Sequence, residues 1–138
     1  MTPADFHAFL RQHRLAVLST VCEGAPQAAL VGIAVTDALE IVFDTIIGSR
    51  KFANLLADPR VALVAGWDYG QTVQVEGTAE PIADEELAAY KDVYFAVWPD
   101  GRERERWPDI AYVRVRPRWL RFADYGRAPP RIHELTLG

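Results

Sequence analysis

Between residues 15 and 122 the chain breaks into six short apolar runs, each closed by turn residues, and no run is long enough to form a layer alone. Residues 15–21 are apolar and partly β-branched, and Glu23-Gly24-Ala25-Pro26 turns them into a second run over 27–35. Thr36-Asp37-Ala38 leads to a third at 39–43. Residues 60–67 and the alternating Val73-Gln74-Val75-Glu76 follow, split by Asp68-Tyr69-Gly70. The sixth sets Val113 and Val115 against Tyr112, Arg114 and Arg116, and Trp119-Leu120-Arg121-Phe122 continues it beyond Pro117. Period-two alternation with short Gly/Pro/Asp turns predicts antiparallel strands. Short strands leave exposed edges unless the sheet closes on itself. The expectation is a mainly β (α+β) split or closed barrel of about six antiparallel strands with flanking helices, built as one domain over 1–138.

Helical spacing intrudes at three places. Thr2 is a candidate N-cap, with Pro3 at the first helical position, Asp5 in the first turn and Phe6, Phe9 and Leu10 on one face. Gly48-Ser49 opens a second helix with Phe52, Leu55 and Leu56 as its apolar stripe, and Asp58-Pro59 stops it. Residues 84–97 form a third, with Leu87, Tyr90 and Tyr94 in register. Residues 98–108 read as a loop.

Charge narrows the partners. Lys and Arg number 15 against 19 Asp and Glu, a formal net charge of −4, which argues against nucleic acid. Residues 102–138 nevertheless carry 9 arginines and 5 acids, while 1–101 carry 6 basic and 14 acidic side chains. The expected use of that basic tail is docking on the acidic body or on another subunit. No apolar run approaches the roughly 18 residues of a membrane span. The N-terminus lacks a basic flank and apolar stretch, so a cytoplasmic location is expected. A single Cys22 and three unclustered histidines, His7, His13 and His133, offer no metal-ligand spacing.

One segment carries chemistry. In Asp44-Thr45-Ile46-Ile47-Gly48-Ser49-Arg50-Lys51 a strand ends, a glycine loop follows, and two cations occupy the first helical positions. A helix start already bears partial positive charge, so cations there are unfavourable by a few tenths of a kcal/mol or more. An anion at the same place reverses the sign: free backbone N–H groups, the Ser49 hydroxyl and two cationic side chains converge on it, most naturally on a phosphate.

The run from Val42 to Lys51, followed by Asn54-Leu55, Asp58-Pro59-Arg60-Val61 and Val73-Gln74-Val75-Glu76-Gly77-Thr78-Ala79-Glu80, resembles the FMN-binding split-barrel proteins related to pyridoxamine 5′-phosphate oxidase. The resemblance covers roughly residues 14–82, and Pro117-Arg118-Trp119-Leu120-Arg121-Phe122 looks like the last strand of small members. It implies a homodimer with FMN in a cleft at the subunit interface and a small-molecule substrate. The phosphate-binding pair falls on Arg50 and Lys51, and the strand-end pair on Asp44 and Thr45. The segment along the isoalloxazine edge falls on Ala29, Leu30, Val31, Gly32, Ile33 and Ala34, and a ring-contacting glutamine on Thr72 beside Gln71. Ala29 and Ala34 stand where the oxidases carry arginine and lysine, which argues against pyridoxamine phosphate as substrate. The resemblance therefore implies an FMN-dependent oxidoreductase working by hydride transfer. The alternatives are a deazaflavin-dependent reductase, or a non-catalytic flavin- or haem-binding stress or redox protein. Trp67 and Trp119 are candidates for ring stacking, and Trp98 and Trp107 bracket a candidate lid. No catalytic residue is assigned.

Overall fold

The computed structural model describes residues 1–138. In chain order the strands are β1 (Leu15–Cys22), β2 (Ala25–Gly32), β3 (Ala34–Val35), β4 (Ile41–Ile46), β5 (Arg60–Ala65), β6 (Gln71–Pro81), β7 (Ile110–Asp124) and β8 (Arg131–Thr136). The helices are α1 (Pro3–Arg11), α2 (Arg50–Ala57), α3 (Leu87–Val97) and the single turn α4 (Gly101–Arg104).

All strands belong to one antiparallel sheet in the order β2-β1-β5-β6-β7-β4-β3, with β8 paired to β7. The two ends of that order, β2 and β3, are consecutive pieces of chain separated only by Ile33. The sheet therefore curls until one kinked strand, β2–β3, forms both of its ends. Six staves result, but the closure is incomplete. β3 pairs β4 only at Ala34↔Val42 and Val35↔Ile41, while β2 pairs β1 alone. A split is left between β2 and the far half of β4.

Alternation fills the interior. Ala16 and Leu18 of β1, Val61 and Leu63 of β5, Val73 and Val75 of β6, and Val113, Val115 and Leu120 of β7 are all buried in one apolar cluster with Phe6, Leu10 and Leu55. The α1 start is the expected one: the Thr2 hydroxyl accepts the Asp5 N–H at 3.2 Å and Asp5 Oδ2 accepts the Thr2 N–H at 2.7 Å. A second cluster lies outside the barrel wall, where Tyr94 and Phe95 of α3 cover Ala34, Val42 and Tyr112.

Several expectations are refined. α2 buries Leu55 and Asn54 and half-buries Phe52, but Leu56 is 59% exposed, because it lies about 100° round the helix from Leu55. α3 begins at Leu87; residues 84–86 form the turn before it. The strand at 60–67 ends at Ala65, since Gly66 takes φ +72° and throws Trp67 outward. Residues 98–108 contain α4. β7 runs unbroken through Pro117, where a register shift opposite Glu76/Gly77 accommodates the missing N–H. β8, along the outer half of β7, carries no apolar alternation clear enough to be read beforehand. The alternation at 112–116 holds, yet Tyr112 and Arg114 are buried as well, because α3 roofs that face.

The basic tail docks on the acidic body of its own chain. Arg114, only 6% exposed, places Nε 2.8 Å from Glu80 Oε1 and Nη1 3.1 Å from Glu86 Oε2, and Nη1 also donates to the Tyr90 hydroxyl at 2.9 Å. Arg116 reaches Glu80 at 3.0 Å, and Arg104 reaches Asp44 at 2.7 Å. No helix is long and apolar enough to cross a membrane.

Candidate functional site

The split between β2 and the start of α2 is the place where the sequence's charged segment opens onto a cavity. Arg50, Lys51, Ala28, Ala29, Gln27 and Thr20 line a cleft of about 140 Å³, room for a phosphate-sized group rather than a whole nucleotide. β1 supplies Thr20, β2 supplies Gln27 to Ala29, and α2 supplies the two cations.

Local hydrogen bonding shows which donors are spent. Ser49 is the N-cap of α2, and its Oγ accepts the Phe52 N–H at 3.2 Å. The same Oγ lies 2.9 Å from Thr45 Oγ1. One proton joins the two hydroxyls, so one O–H of the pair is left to donate elsewhere. The Ser49 N–H is bonded to Ile46 O and the Ala53 N–H to Ser49 O, whereas the Arg50 and Lys51 N–H groups have no acceptor in the fold. No acid stands in the first turn of α2. Neither Arg50 nor Lys51 forms an ion pair. The cleft is thus lined by two residues whose side-chain cations and backbone amides are all uncommitted, with the Thr45–Ser49 hydroxyl pair next to them at the helix start, which is the donor set of an oxyanion site.

Asp44 is turned to the opposite face of β4. Its Oδ2 accepts from Arg104 Nε at 2.7 Å and its Oδ1 from the Tyr94 hydroxyl at 3.0 Å. Burial, and then the Asp44 charge, raise the Tyr94 pKa, so the phenol stays a protonated donor. The carboxylate therefore adds no repulsion to the cleft.

β2 provides the other wall. Ile33 N–H donates to Arg14 O at 2.8 Å, and antiparallel alternation then directs the backbone groups of Ala28, Leu30 and Gly32 toward the split. Leu30 is 62% exposed and Val31 buried. Trp98 fixes the kink: its Nε1–H donates to Ile33 O at 3.0 Å, and its ring lies so close to Gly32 that a Cβ there would sit 2.7 Å from it. Trp98 is thereby a packing residue, with the Arg14 guanidinium 4.3 Å from its ring centre. The segment 98–108 is tied down by Arg104, which pairs with both Asp44 and Asp100.

Ala29, Arg50 and Lys51 thus meet at one cleft, with Thr45 and Ser49 behind it and Leu30 to Gly32 beside it. Gln71 and Thr72 do not join them. They open β6, with β1 and β5 between them and β2, roughly 14 Å at ordinary strand spacing. Gln71 Nε2 donates to Asp124 at 3.3 Å. Thr72 lines a shallow groove on the convex face of the sheet with Val17, Val64, Gln74 and Trp119. Thr20 and Gln27 are cleft residues that the motif did not single out, and Asn54, part of the motif through Asn54-Leu55, carried no site role there. Their signal is polarity at inward positions: Thr20 follows Ala16 and Leu18 on the buried side of β1, and Asn54 sits on the buried side of α2.

Comparison with known proteins agrees with this geometry. The sequence model of the pyridoxamine 5′-phosphate oxidase family matches residues 2–124. A pyridoxine/pyridoxamine 5′-phosphate oxidase from Bordetella petrii is 35% identical over 123 residues, covering 83% of this chain and 56% of its own length. The chain spans about half the length of the curated relatives it matches. A heme binding protein from Mycobacterium smegmatis superposes with a TM-score of 0.84 at 20% identity, covering 99% of this chain and 58% of its own. A FAD-binding protein from Mesorhizobium loti gives a TM-score of 0.73 at 18% identity, covering 87% of this chain and 90% of its own. These two structural likenesses concern the fold. The sequence match across residues 2–124, on a split barrel whose cation pair opens onto the split, places this chain in the pyridoxamine 5′-phosphate oxidase family.

Proposed function

We propose that the protein binds FMN in the β2–α2 cleft and works as an FMN-dependent oxidoreductase on a small planar substrate other than pyridoxamine phosphate. The observation that carries this reading is the pair Arg50 and Lys51, unpaired and first in their helix, beside two free amide N–H groups. Arg50 and Lys51 neutralise the phosphate, the Arg50 and Lys51 N–H groups and the Thr45–Ser49 hydroxyl pair bond its oxygens, and the open backbone edge at Leu30 and Gly32 faces the polar rim of the ring. When bound, the flavin supplies hydride acceptance and donation; the chain supplies position and electrostatics.

The substrate reading rests on Ala29 and Ala34. Ala29 lines the cleft without charge, and Ala34 is 3% exposed beneath Tyr94 and Phe95, where a lysine would be driven into an apolar cluster. Neither position can hold a second phosphate.

The convex face bearing Val17, Val64, Thr72 and Trp119 is the proposed homodimer surface. Pairing there is what can bring Gln71 and Thr72 of a second copy near a ring held at β2. A deazaflavin coenzyme, which also carries a phosphate, is the second reading for the same donors. Haem has less support, because none of the three histidines lines the cleft.

The test is spectroscopic. Purified protein should be yellow and release FMN on denaturation; a colourless protein that takes up a deazaflavin supports the second reading, and a Soret band supports haem. Replacing Arg50 and Lys51 together by Ala should weaken FMN binding at least tenfold while leaving riboflavin binding unchanged. Unchanged FMN affinity defeats the assignment. Reduction of the bound flavin by a nicotinamide donor, followed by turnover with an acceptor, separates an enzyme from a carrier.

A further inference from the structure

Gln27 enters the cleft from β2, opposite Arg50 and Lys51, and half of its carboxamide is already committed. Its Oε1 accepts from Asn54 Nδ2 at 2.8 Å. Asn54 Nδ2 also donates to Thr20 Oγ1 at 3.0 Å, so both amide protons of Asn54 are spent. Asn54 is 7% exposed and Thr20 is 2% exposed, which leaves the triad little freedom to rearrange. With its oxygen held by Asn54, Gln27 leaves Nε2 as its uncommitted end, since Nε2 donates to nothing in the fold. Gln27 is half-buried, and a free N–H donor turned to the same small cleft as two cations is complementary to an oxygen ligand.

We propose that Gln27 is a phosphate-contacting residue of the cofactor site, a neutral N–H donor facing the two cations. Asn54 acts as its positioning residue by fixing which end of the carboxamide faces the ligand. The inference rests on the phosphate reading of the cleft and adds two residues to it. Three walls then grip the phosphomonoester: the cations of α2, the amides of its first turn, and the Gln27 amide from β2 across the split. The arrangement explains why a polar triad sits at inward positions of β1, β2 and α2 in an otherwise apolar neighbourhood.

Gln27→Glu separates a structural role from a ligand role. A carboxylate at this position still accepts from Asn54, so the fold-holding bond survives, but its second oxygen now confronts the phosphate. FMN and riboflavin are titrated into the flavin-free protein by fluorescence quenching, with thermal unfolding as the control for folding. Gln27→Glu is expected to weaken FMN by tenfold or more and to leave riboflavin unchanged. Gln27→Met, uncharged and of similar length, should weaken FMN several-fold with the same indifference to riboflavin. Asn54→Asp offers an acceptor instead of a donor and turns the Gln27 carbonyl toward the cleft. It should also weaken FMN, and that loss should vanish in the Gln27→Met background.

If Gln27→Glu and Gln27→Met bind FMN like the parent while the Arg50→Ala, Lys51→Ala double variant does not, Gln27 is not a ligand and the proposal falls with the phosphate reading intact. If the double variant binds FMN normally as well, the phosphate reading falls too. Equal loss of FMN and riboflavin in the Gln27 variants overturns the proposal, since the effect then has nothing to do with the phosphate.

Discussion

Arg104 Nε lies 2.7 Å from Asp44 Oδ2, joining the single-turn helix α4 to the strand that leads into the cation pair. Asp44 is the residue before Thr45, whose hydroxyl contacts the α2 N-cap, so the ion pair anchors the cleft from behind. The Asp44 side chain is 12% exposed and the Arg104 side chain 23%. Removing the cation leaves a desolvated carboxylate with only Tyr94 for company. Arg104→Ala should therefore destabilise the protein by about 2 kcal/mol, and Asp44→Asn in that background should recover part of the loss, measured as a double-mutant cycle of denaturant unfolding. Additive losses would show that the pair is not energetically coupled.

A second tight relationship involves no charge. Gly32 has Trp98 against it so closely that a methyl group would sit 2.7 Å from the indole, and the indole is held in place by Ile33 O. Gly32→Ala should cost about 1–3 kcal/mol, because either the ring or the β2 backbone must shift. Substituting Trp98 by Leu in the same chain should relieve much of the strain. Thermal unfolding of the two single variants and the double checks this, and a Gly32→Ala protein as stable as the parent would contradict the packing.

How far the sequence could be read follows from how local each feature is. The N-cap at Thr2, the stop at Asp58-Pro59 and the cation pair opening α2 depend on neighbours within a few residues, and all stand where spacing predicts them. The six staves were legible because period-two alternation survives wherever one face of a strand meets the core. Where both faces are covered, as at Tyr112 and Arg114 under α3, the pattern still shows the faces but not their common burial. β8 was hidden because its own residues are mostly exposed or half-buried and its role is to pair with β7. In the cleft, Arg50 and Lys51 announce themselves by an electrostatic misfit, whereas Gln27, Thr20 and Asn54 come together across separations of 7 to 34 residues through tertiary folding. The direction of Asp44 was likewise fixed by Arg104, 60 residues away.

Tyr112 gives a pH dependence with a definite sign. Its hydroxyl is buried without a hydrogen-bond partner, and burial, then the charges of Glu105 and Asp44, raise its pKa from the ordinary 10.0 to about 12. A group whose folded pKa is raised contributes stability that is fully present below pH 10 and is lost as pH climbs toward 12. Tyr94, raised in the same direction, adds to the slope. Tyr112→Phe removes an unsatisfied polar atom, so at neutral pH the variant should be as stable as the parent or more so, by up to about 1 kcal/mol. Between pH 10 and 12 its melting temperature should fall less steeply than the parent's. A variant that melts lower at neutral pH would mean that the hydroxyl has a partner after all.

The convex groove offers the sharpest test of how the site is completed. Val17, Val64, Thr72 and Trp119 form a shallow depression of about 340 Å³ on the outer face of β1, β5, β6 and β7, where a free protomer would leave half-buried apolar side chains against water. Val64 points outward between buried Leu63 and Ala65, so a charge at position 64 does not disturb the barrel interior. Val64→Asp should leave the thermal unfolding of the protomer nearly unchanged while shifting the protein from dimer to monomer in sedimentation. If the flavin ring is completed by the second copy, the same substitution should weaken FMN even though residue 64 lies two strands from the Arg50 cleft. The loss should then depend on protein concentration and diminish as the monomer is driven to associate. Monomeric protein that keeps full FMN affinity at every concentration would assign the whole cofactor site to one chain.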